Sequence, residues 1–363
     1  MDIGIPKQRR PYDYRAGLTP MGVEILTRNG HRVYVETGAG QGSGFEDERY
    51  RHAGAQIVYS PEEVYGRGQM ILTVSRPLIP EFDLLQEGHI LCGFLHLAVA
   101  HPGKIDLLLQ RQVTAIAYET IQTEDGHLPV LTAASQIAGR MIAAIAAQLL
   151  QNNEGGHGIL LGGVPGVPAA KVVILGAGIV GVNAARLFEA MGADLTILDT
   201  DVRKLQMLED RGFRAHTIVA HDFNIAKAVK RADVLVGAVL IPGARAPHVV
   251  TREMVRSMKP RSVIIDVSID QGGCIETSHP TTYQNPTYIE ENIIHYCVPN
   301  MTGVVARTTT HAFNNAAWPY ILEIADKGLE QALADNSALR HGLNIHAGEI
   351  VHPALRESLG GEL

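Results

Sequence analysis

Lys171-Val-Val-Ile-Leu-Gly-Ala-Gly-Ile-Val-Gly-Val-Asn-Ala-Ala-Arg186 decides how the rest of this chain is read. A short apolar run of β-type residues, Val172–Leu175, enters a turn built on Gly176, Gly178 and Gly181 and leaves it as a helix. Gly176 permits the tight turn, Gly178 keeps a Cβ out of the way of whatever the turn holds, and Gly181 lets the helix pack close to the strand. The helix N-terminus contributes unpaired N–H groups and a positive partial charge, which together suit a pyrophosphate. A G-x-G-x-x-G alone is weak. Here a second strand, Leu195–Asp199, follows and ends in an acid about twenty residues on, the spacing of a dinucleotide-binding βαβ unit. Asp199 is placed to accept hydrogen bonds from the ribose 2′- and 3′-hydroxyls and to repel a 2′-phosphate, which favours NAD over NADP. Arg203 and Lys204 lie just downstream and keep the phosphorylated form open; Lys204 is counted with the cofactor-binding side chains.

Outward from this turn the alternation of strand and helix continues. In the second half, β runs fall at Val172–Leu175, Leu195–Asp199, Arg214–Val219, Asp233–Val239, Val263–Val267 and His295–Val298. Six such runs suffice for a complete dinucleotide-binding sheet. The first third shows the same rhythm, with Ile3–Pro6, His31–Glu36, Gln56–Tyr59, Met70–Val74, Ile90–Leu95 and Val113–Tyr118 as strands. Thr19-Pro20 reads as an N-cap followed by proline at the first helical position, with Gly30 as the stop. Such alternation means parallel βαβ units covered on both faces. A long apolar helix, Ser135–Gln151, and the break Asn152-Asn-Glu-Gly-Gly separate the two series. From about Thr308 the chain reads as helical and returns to the first domain. The expected fold class is α/β, with two Rossmann-like doubly wound domains, each with a mainly parallel sheet, and a cleft between them. Residues 1–134 plus 308–363 form the substrate (catalytic) domain, and 135–307 the NAD-binding domain.

Composition narrows the partners. A chain of 363 residues with 46% hydrophobic content is long enough for two cores. The net charge of −7, with no long basic run, argues against nucleic acid, whose phosphates need clustered Lys and Arg. Three sparse cysteines, Cys92, Cys274 and Cys297, read as buried thiols in a reducing compartment. The start lacks the basic and apolar regions of a secretory signal, and the longest apolar helix candidate, Met141–Leu150, is too short to cross a bilayer. The expectation is a cytoplasmic protein without membrane partners. No HExxH, paired CxxC or P-loop occurs, so no metal is expected.

A further set of motifs spans nearly the whole chain: Gly4-Ile-Pro-Lys, Arg15-x-Gly-Leu-Thr-Pro, Glu36-Thr-Gly-Ala-Gly, Leu95-His-Leu-Ala and Ala117-Tyr-Glu-Thr. Leu161-Gly-Gly-Val-Pro-Gly-Val-Pro, Gly237-Ala-Val-Leu-Ile-Pro-Gly-Ala, Ile269-Asp-Gln-Gly-Gly-Cys and Tyr296-Cys-Val-x-Asn-Met follow in order. In these the chain resembles the alanine dehydrogenase family. The resemblance implies NAD-dependent, reversible oxidative deamination of L-alanine to pyruvate and ammonia, usually in a homo-hexamer. It implies that Arg15 clamps the substrate carboxylate, a task suited to a planar, permanently charged fork. His96 is implied as general acid/base and Asp270 as the acid that orients water or ammonia. Ser135, Ile179, Val180, Val239, Leu240, Val267, Asn300 and Met301 are implied as the lining of the dinucleotide site.

The chain departs from that family at named positions. Where the family has Lys-Glu-Pro, its lysine on the substrate oxygen, this chain has Ser75-Arg76-Pro77. A serine brings a hydrogen bond and no charge. Arg76 is either the replacement cation, provided the chain twists before Pro77, or a surface charge. Ala134 stands where a methionine helps close the family's pocket and leaves room for a larger side chain. Thr302 and Ala306 replace prolines, and His279 replaces a basic residue. Ser75, Arg76 and Ala134 therefore join Arg15 as substrate-binding candidates. The leading expectation is a dehydrogenase acting on alanine, or on a larger amino acid or imine. Two others stay open: a non-catalytic NAD(H)-binding regulatory homologue, and a transhydrogenase-like dinucleotide-binding subunit.

Overall fold

The structure, a computed structural model, describes residues 1–360; the last three positions of the expected substrate domain, 361–363, lie outside the described residues. Two compact units emerge. The first comprises Met1–Ala134, Pro242–Ala244 and the chain from Thr302 onward, the second Ser135–Ile241 and Arg245–Met301.

The first unit is built on eight strands: β1 (Asp2–Ile5), β2 (Arg32–Glu36), β3 (Gln56–Val58), β4 (Met70–Ser75), β5 (Ile90–Phe94), β6 (Thr114–Ala117), and, late in the chain, β14 (Leu343–His346) and β15 (Glu349–Ile350). Their order is β3-β2-β1-β4-β5-β6-β14-β15, parallel except for the last two. Successive side chains leave opposite faces of each strand and so enter different cores. Met70, Leu72 and Val74 of β4 enter one core with Phe313, Ala317 and Ile321, while Ile71 enters the other with Leu91 and Ala115. Both faces being covered, the strands read as continuous apolar runs. The first helix, Pro20–Arg28, starts where expected: the Thr19 hydroxyl accepts from the Gly22 N–H at 3.3 Å, and proline fills the first turn.

The C-terminal stretch is not wholly helical, as the sequence suggested. After helices Ala306–Lys327, Leu329–Asp335 and Ser337–Gly342 it forms the β14–β15 hairpin, turned by Ala347 and Gly348, both at positive φ (49° and 78°). Leu343 and Ile345 alternate with polar neighbours over four residues only, too short a pattern to stand out.

The second unit has seven strands: β7 (Lys171–Leu175), β8 (Asp194–Asp199), β9 (Ala215–Val219), β10 (Val234–Gly237), β11 (Val263–Asp266), β12 (Thr287–Glu290) and β13 (Ile293–Tyr296). The order β12-β13-β11-β10-β7-β8-β9 adds one strand to the six expected. The extra strand, β12, is antiparallel to β13, and the turn between them, Glu291-Asn292, again uses two residues at positive φ. Without an Asn-Gly or Asp-Gly pair the turn carries no strong hairpin signal.

The helix expected over 135–151 runs over Pro129–Leu149. At 21 residues it is long and apolar enough to cross a membrane by length and composition, which corrects the shorter apolar stretch read from sequence. Ala138, Ile142, Ala143, Ala146 and Leu149 nevertheless pack into the second unit's core, as a buried helix of a folded domain would.

Numbered within itself, each sheet runs 3-2-1-4-5-6 over its first six parallel strands. The strand order reverses beside β1 and β4 in the first unit and beside β7 and β10 in the second. Doubly wound sheets bind ligands at the carboxyl ends of strands at such a reversal.

Candidate active site

In the first unit, the carboxyl ends of β1, β4, β5 and β6 deliver the loop 6–19, Ser75-Arg76, His96 and Glu119. Arg15 is buried, 2% exposed, and its fork closes on Asp13: Nε to Oδ1 and Nη2 to Oδ2, both 2.7 Å. Ser75 Oγ donates to Asp13 Oδ2 at 2.7 Å and accepts from Arg15 Nη2 at 2.9 Å. Arg15 Nη1 reaches Thr302 Oγ1 at 3.3 Å, a contact that proline at that position could not supply. Burial pushes the Asp13 carboxyl up, but Arg15 and then the Ser75 hydroxyl outweigh it and hold the group below the usual carboxylate range. Ser75 thus belongs to a charge-balanced triad with Asp13 and Arg15.

His96 sits one residue beyond Leu95 in a left-handed turn, φ 44° and ψ 52°. That conformation is uncommon for a residue with a Cβ and is held here from both sides. Glu119 accepts the Leu95 N–H at 3.1 Å and the His96 N–H at 2.5 Å. Arg76 Nη1 donates to the carbonyls of Leu95 at 2.8 Å and His96 at 2.6 Å. The chain does bend before Pro77: the β4–β5 register shifts between Leu72 and Ser75. Arg76 is therefore turned onto the histidine loop. The His96 Nδ1 is buried without a hydrogen-bond partner in the protein. Burial lowers the proton affinity of the ring; Glu119 opposes this, and the guanidiniums of Arg76, Arg10 and Arg15 reinforce it. The ring is neutral at neutral pH and able to accept a proton. Ala134, in the second turn of helix Pro129–Leu149, is half-buried and packs against the first unit's core.

In the second unit, Gly176 at φ 104° makes the turn after β7; a Cβ there would lie 2.3 Å from the Ala238 carbonyl oxygen. A Cβ on Gly181 would lie 1.9 Å from the Gly176 oxygen, so only glycine lets helix Ile179–Ala190 start so close to the strand. A Cβ on Gly178 would meet nothing within 4 Å, and this residue caps the helix without a side-chain acceptor for its first N–H groups. Open space before unpaired N–H groups fits a pyrophosphate. Asp199 ends β8, buried, accepting the Ala177 N–H at 2.8 Å and the Asp201 N–H at 2.9 Å; Lys204 Nζ lies 3.6 Å away. Its carboxylate keeps acceptor sites for ribose hydroxyls, since each oxygen carries two lone pairs.

The other expected lining residues gather at neighbouring strand ends. Ile179 (41% exposed) and Leu240 (43%) present apolar side chains outward, and Val180, Val239 and Val267 are half-buried. Ser268 fixes the end of β10, its hydroxyl accepting from the Val239 N–H at 3.0 Å and donating to the Val239 carbonyl at 2.7 Å. Asp270, in the single turn after β11, accepts the Asn300 N–H at 2.8 Å, with Asn300 at φ 52°. Met301 is buried, its carbonyl taken by the Tyr283 hydroxyl. Ser135 is half-buried within helix Pro129–Leu149.

Family models described as Alanine dehydrogenase/PNT match residues 4–138 (N-terminal domain) and 142–353 (C-terminal domain). The chain belongs to the alanine dehydrogenase/PNT family. Among relatives in this family, alanine dehydrogenase of Methanococcus maripaludis is 51% identical over 99% of this chain and 96% of its own length. That of Bacillus subtilis is 50% identical over 100% and 96%. A solved L-alanine dehydrogenase matches with a TM-score of 0.89 at 44% identity, covering 99% of both chains. A transhydrogenase from Sinorhizobium meliloti shares the fold, with a TM-score of 0.76 at 24% identity over 98% and 100%.

Against this family background, sequence reasoning passed over Asp13, Glu119 and Ser268. Asp13 stands two residues from Arg15, and Glu119 lies inside a quoted motif. What each holds becomes visible only once the strand ends are brought together.

Proposed function

We propose that this protein catalyses the reaction L-alanine + NAD + water ⇌ pyruvate + ammonium + NADH + H⁺, as an oxidoreductase acting on CH–NH₂ donors. One observation carries the site-level reading: a neutral imidazole, His96, with an unpartnered buried nitrogen, clamped in a left-handed turn at the carboxyl ends of the first unit's strands. Arg15, oriented by Asp13 and Ser75, takes the substrate carboxylate. When bound, NAD would supply the acceptor for the hydride that leaves the α-carbon of alanine. Water adds to the resulting imine, His96 receives the proton that the water gives up and passes it to the departing nitrogen as the carbinolamine C–N bond breaks to release ammonia; in the reverse direction His96 returns a proton to the carbinolamine oxygen as it leaves as water. Asp270 orients the water or ammonia. Arg76 acts through His96 as a positioning residue. Gly176, Gly178, Gly181 and Asp199 hold the pyrophosphate and ribose, with the remaining expected residues lining the dinucleotide.

The same reading extends to a homo-hexamer in the cytoplasm, with a small amino acid or 2-oxo acid as partner and neither membrane nor nucleic acid involved. Exposed apolar side chains on the second unit, Leu160 (65%), Val164 (53%) and Val167 (60%), support burial against another copy. Three buried free thiols suit a reducing compartment.

The test is NADH oxidation with ammonium and pyruvate. Turnover is expected, and His96→Ala should reduce kcat by about 10²–10⁴-fold, the usual weight of a general acid/base. Binding of NADH with no turnover of pyruvate or any other 2-oxo acid would remove the reading.

A further inference from the structure

The loop 6–19 carries more positive charge than a substrate with one carboxylate requires. A cleft of about 400 Å³ lies along it, lined among others by Lys7, Gln8, Arg10, Asp13, Arg15 and Gly38. Within this lining Arg15 is already balanced by Asp13. Glu36, at the end of β2, is taken by Arg9 and by the Lys7 N–H. Arg10 has no such acid. Its Nη2 donates to the Arg76 carbonyl at 3.2 Å, its Nε is buried with no hydrogen-bond partner, and no carboxylate among the described residues pairs with it. A buried guanidinium donor left unsatisfied is costly and calls for an explanation, of which completion by a bound group is one.

The position of Arg10 ties this cation to the substrate site. It lies in the same cleft as Arg15, it bonds the backbone next to Ser75, and it is close enough to His96 to act on its charge. In the cleft lining Lys7, Arg10 and Arg15 face one acid, Asp13, a net excess of two positive charges.

We propose that this site accepts, besides the alanine/pyruvate pair, a 2-oxo acid with a second carboxylate at the far end of its side chain, and the matching amino acid, with Arg10 as the partner of that carboxylate. The inference rests on the dehydrogenase reading of the same site. The chemistry is unchanged: the ketone oxygen leaves as water, the nitrogen of ammonia bonds to C2, and NADH delivers a hydride to the same carbon. The second carboxylate takes no part except to be held, and a charge-assisted pair at a planar fork suits it.

Steady-state kcat/KM for 2-oxoglutarate, 2-oxopentanoate and pyruvate, each with ammonium and NADH, tests this in the wild-type protein and in Arg10→Gln and Arg10→Lys. The five-carbon 2-oxopentanoate matches 2-oxoglutarate in chain length without the second charge. The wild type should prefer 2-oxoglutarate over 2-oxopentanoate by at least about tenfold, the scale of one hydrogen bond to a charged group. Arg10→Gln should lower the 2-oxoglutarate value at least about tenfold more than the pyruvate value, and Arg10→Lys should recover part of the ratio. Turnover of pyruvate with no preference for the second carboxylate, or an equal loss on all three substrates in Arg10→Gln, overturns this inference and leaves the dehydrogenase reading standing. Failure of the wild type on all three, pyruvate included, removes both.

Discussion

His96 is governed by groups in the segments that follow three other strands, β1, β4 and β6, and its backbone and its charge answer to shared neighbours. Glu119 pulls on two N–H groups of the turn, Arg76 on two carbonyls, and the two act on the ring with opposite sign. The net proton affinity lies below that of an ordinary histidine, chiefly through burial. With His96 as the proposed proton acceptor, alanine oxidation needs the ring unprotonated, so kcat/KM should be flat near neutral pH and fall only below about pH 6.5, the ordinary histidine value. Glu119→Gln removes the influence that raises the pKa. The acid limb should then move to still lower pH, while kcat drops because the turn is less firmly held. A pH–rate profile checks this; a fall in kcat with the limb unmoved would make Glu119 a structural support and nothing more. The roles proposed for Arg15 and His96 come only from long motifs, because an isolated arginine or histidine says little. Asp13 and Ser75 show why: their meaning lies in a triangle with Arg15 closed by residues sixty or more positions apart in sequence.

At the scale of elements, the glycine turn was the most legible part of the chain. Its strand, its helix and the acid ending the next strand stand where the spacing predicts. The reason is local: turn, strand and helix are neighbours in sequence, and steric demands at Gly176 and Gly181 admit no other residue. Gly181→Ala tests that demand. The new methyl would fall on the Gly176 carbonyl, a backbone atom that cannot swing aside, so the helix must retreat from the strand. A loss of about 1–3 kcal/mol in stability, the usual cost of overpacking, and at least tenfold weaker NADH binding are expected, from denaturant unfolding and fluorescence titration. Retention of wild-type affinity would mean that the close approach of helix and strand does not set the cradle. The two hairpins were hidden because their turns, Glu291-Asn292 and Ala347-Gly348, use residues without a strong turn signature. The start of helix Pro129–Leu149 was placed six residues late, since Pro129 reads equally as a loop residue or as a first-turn proline.

Over the whole molecule, two sheets of one strand order have been put to different uses. The second unit keeps glycines after β7 and an acid after β8, open to a dinucleotide. The first has neither opening: the chain after β1 is a long, arginine-rich loop, and Glu36, at the end of β2 where Asp199 ends β8, is already bound by Arg9 and Lys7. Among the described residues, one dinucleotide cradle is therefore expected. NADH at about one hundred times its dissociation constant should stabilise the protein by about 2.7 kcal/mol, seen as a rise in melting temperature. NADPH, repelled by Asp199, should give a clearly smaller shift at equal concentration; equal shifts would show that Lys204 overrides the acid. The alternation of strands and helices made this architecture readable, whereas the pairing of β14 against β6 left no trace in either segment. That pairing also bears on how the chain is made. On the ribosome, β6 emerges about 225 residues before the partner that covers its edge. At roughly 5–20 residues per second, its open row of N–H and C=O groups stays unsealed for about 10–45 s, an interval in which nascent chains on one message could zip together and in which a truncated product would remain permanently sticky.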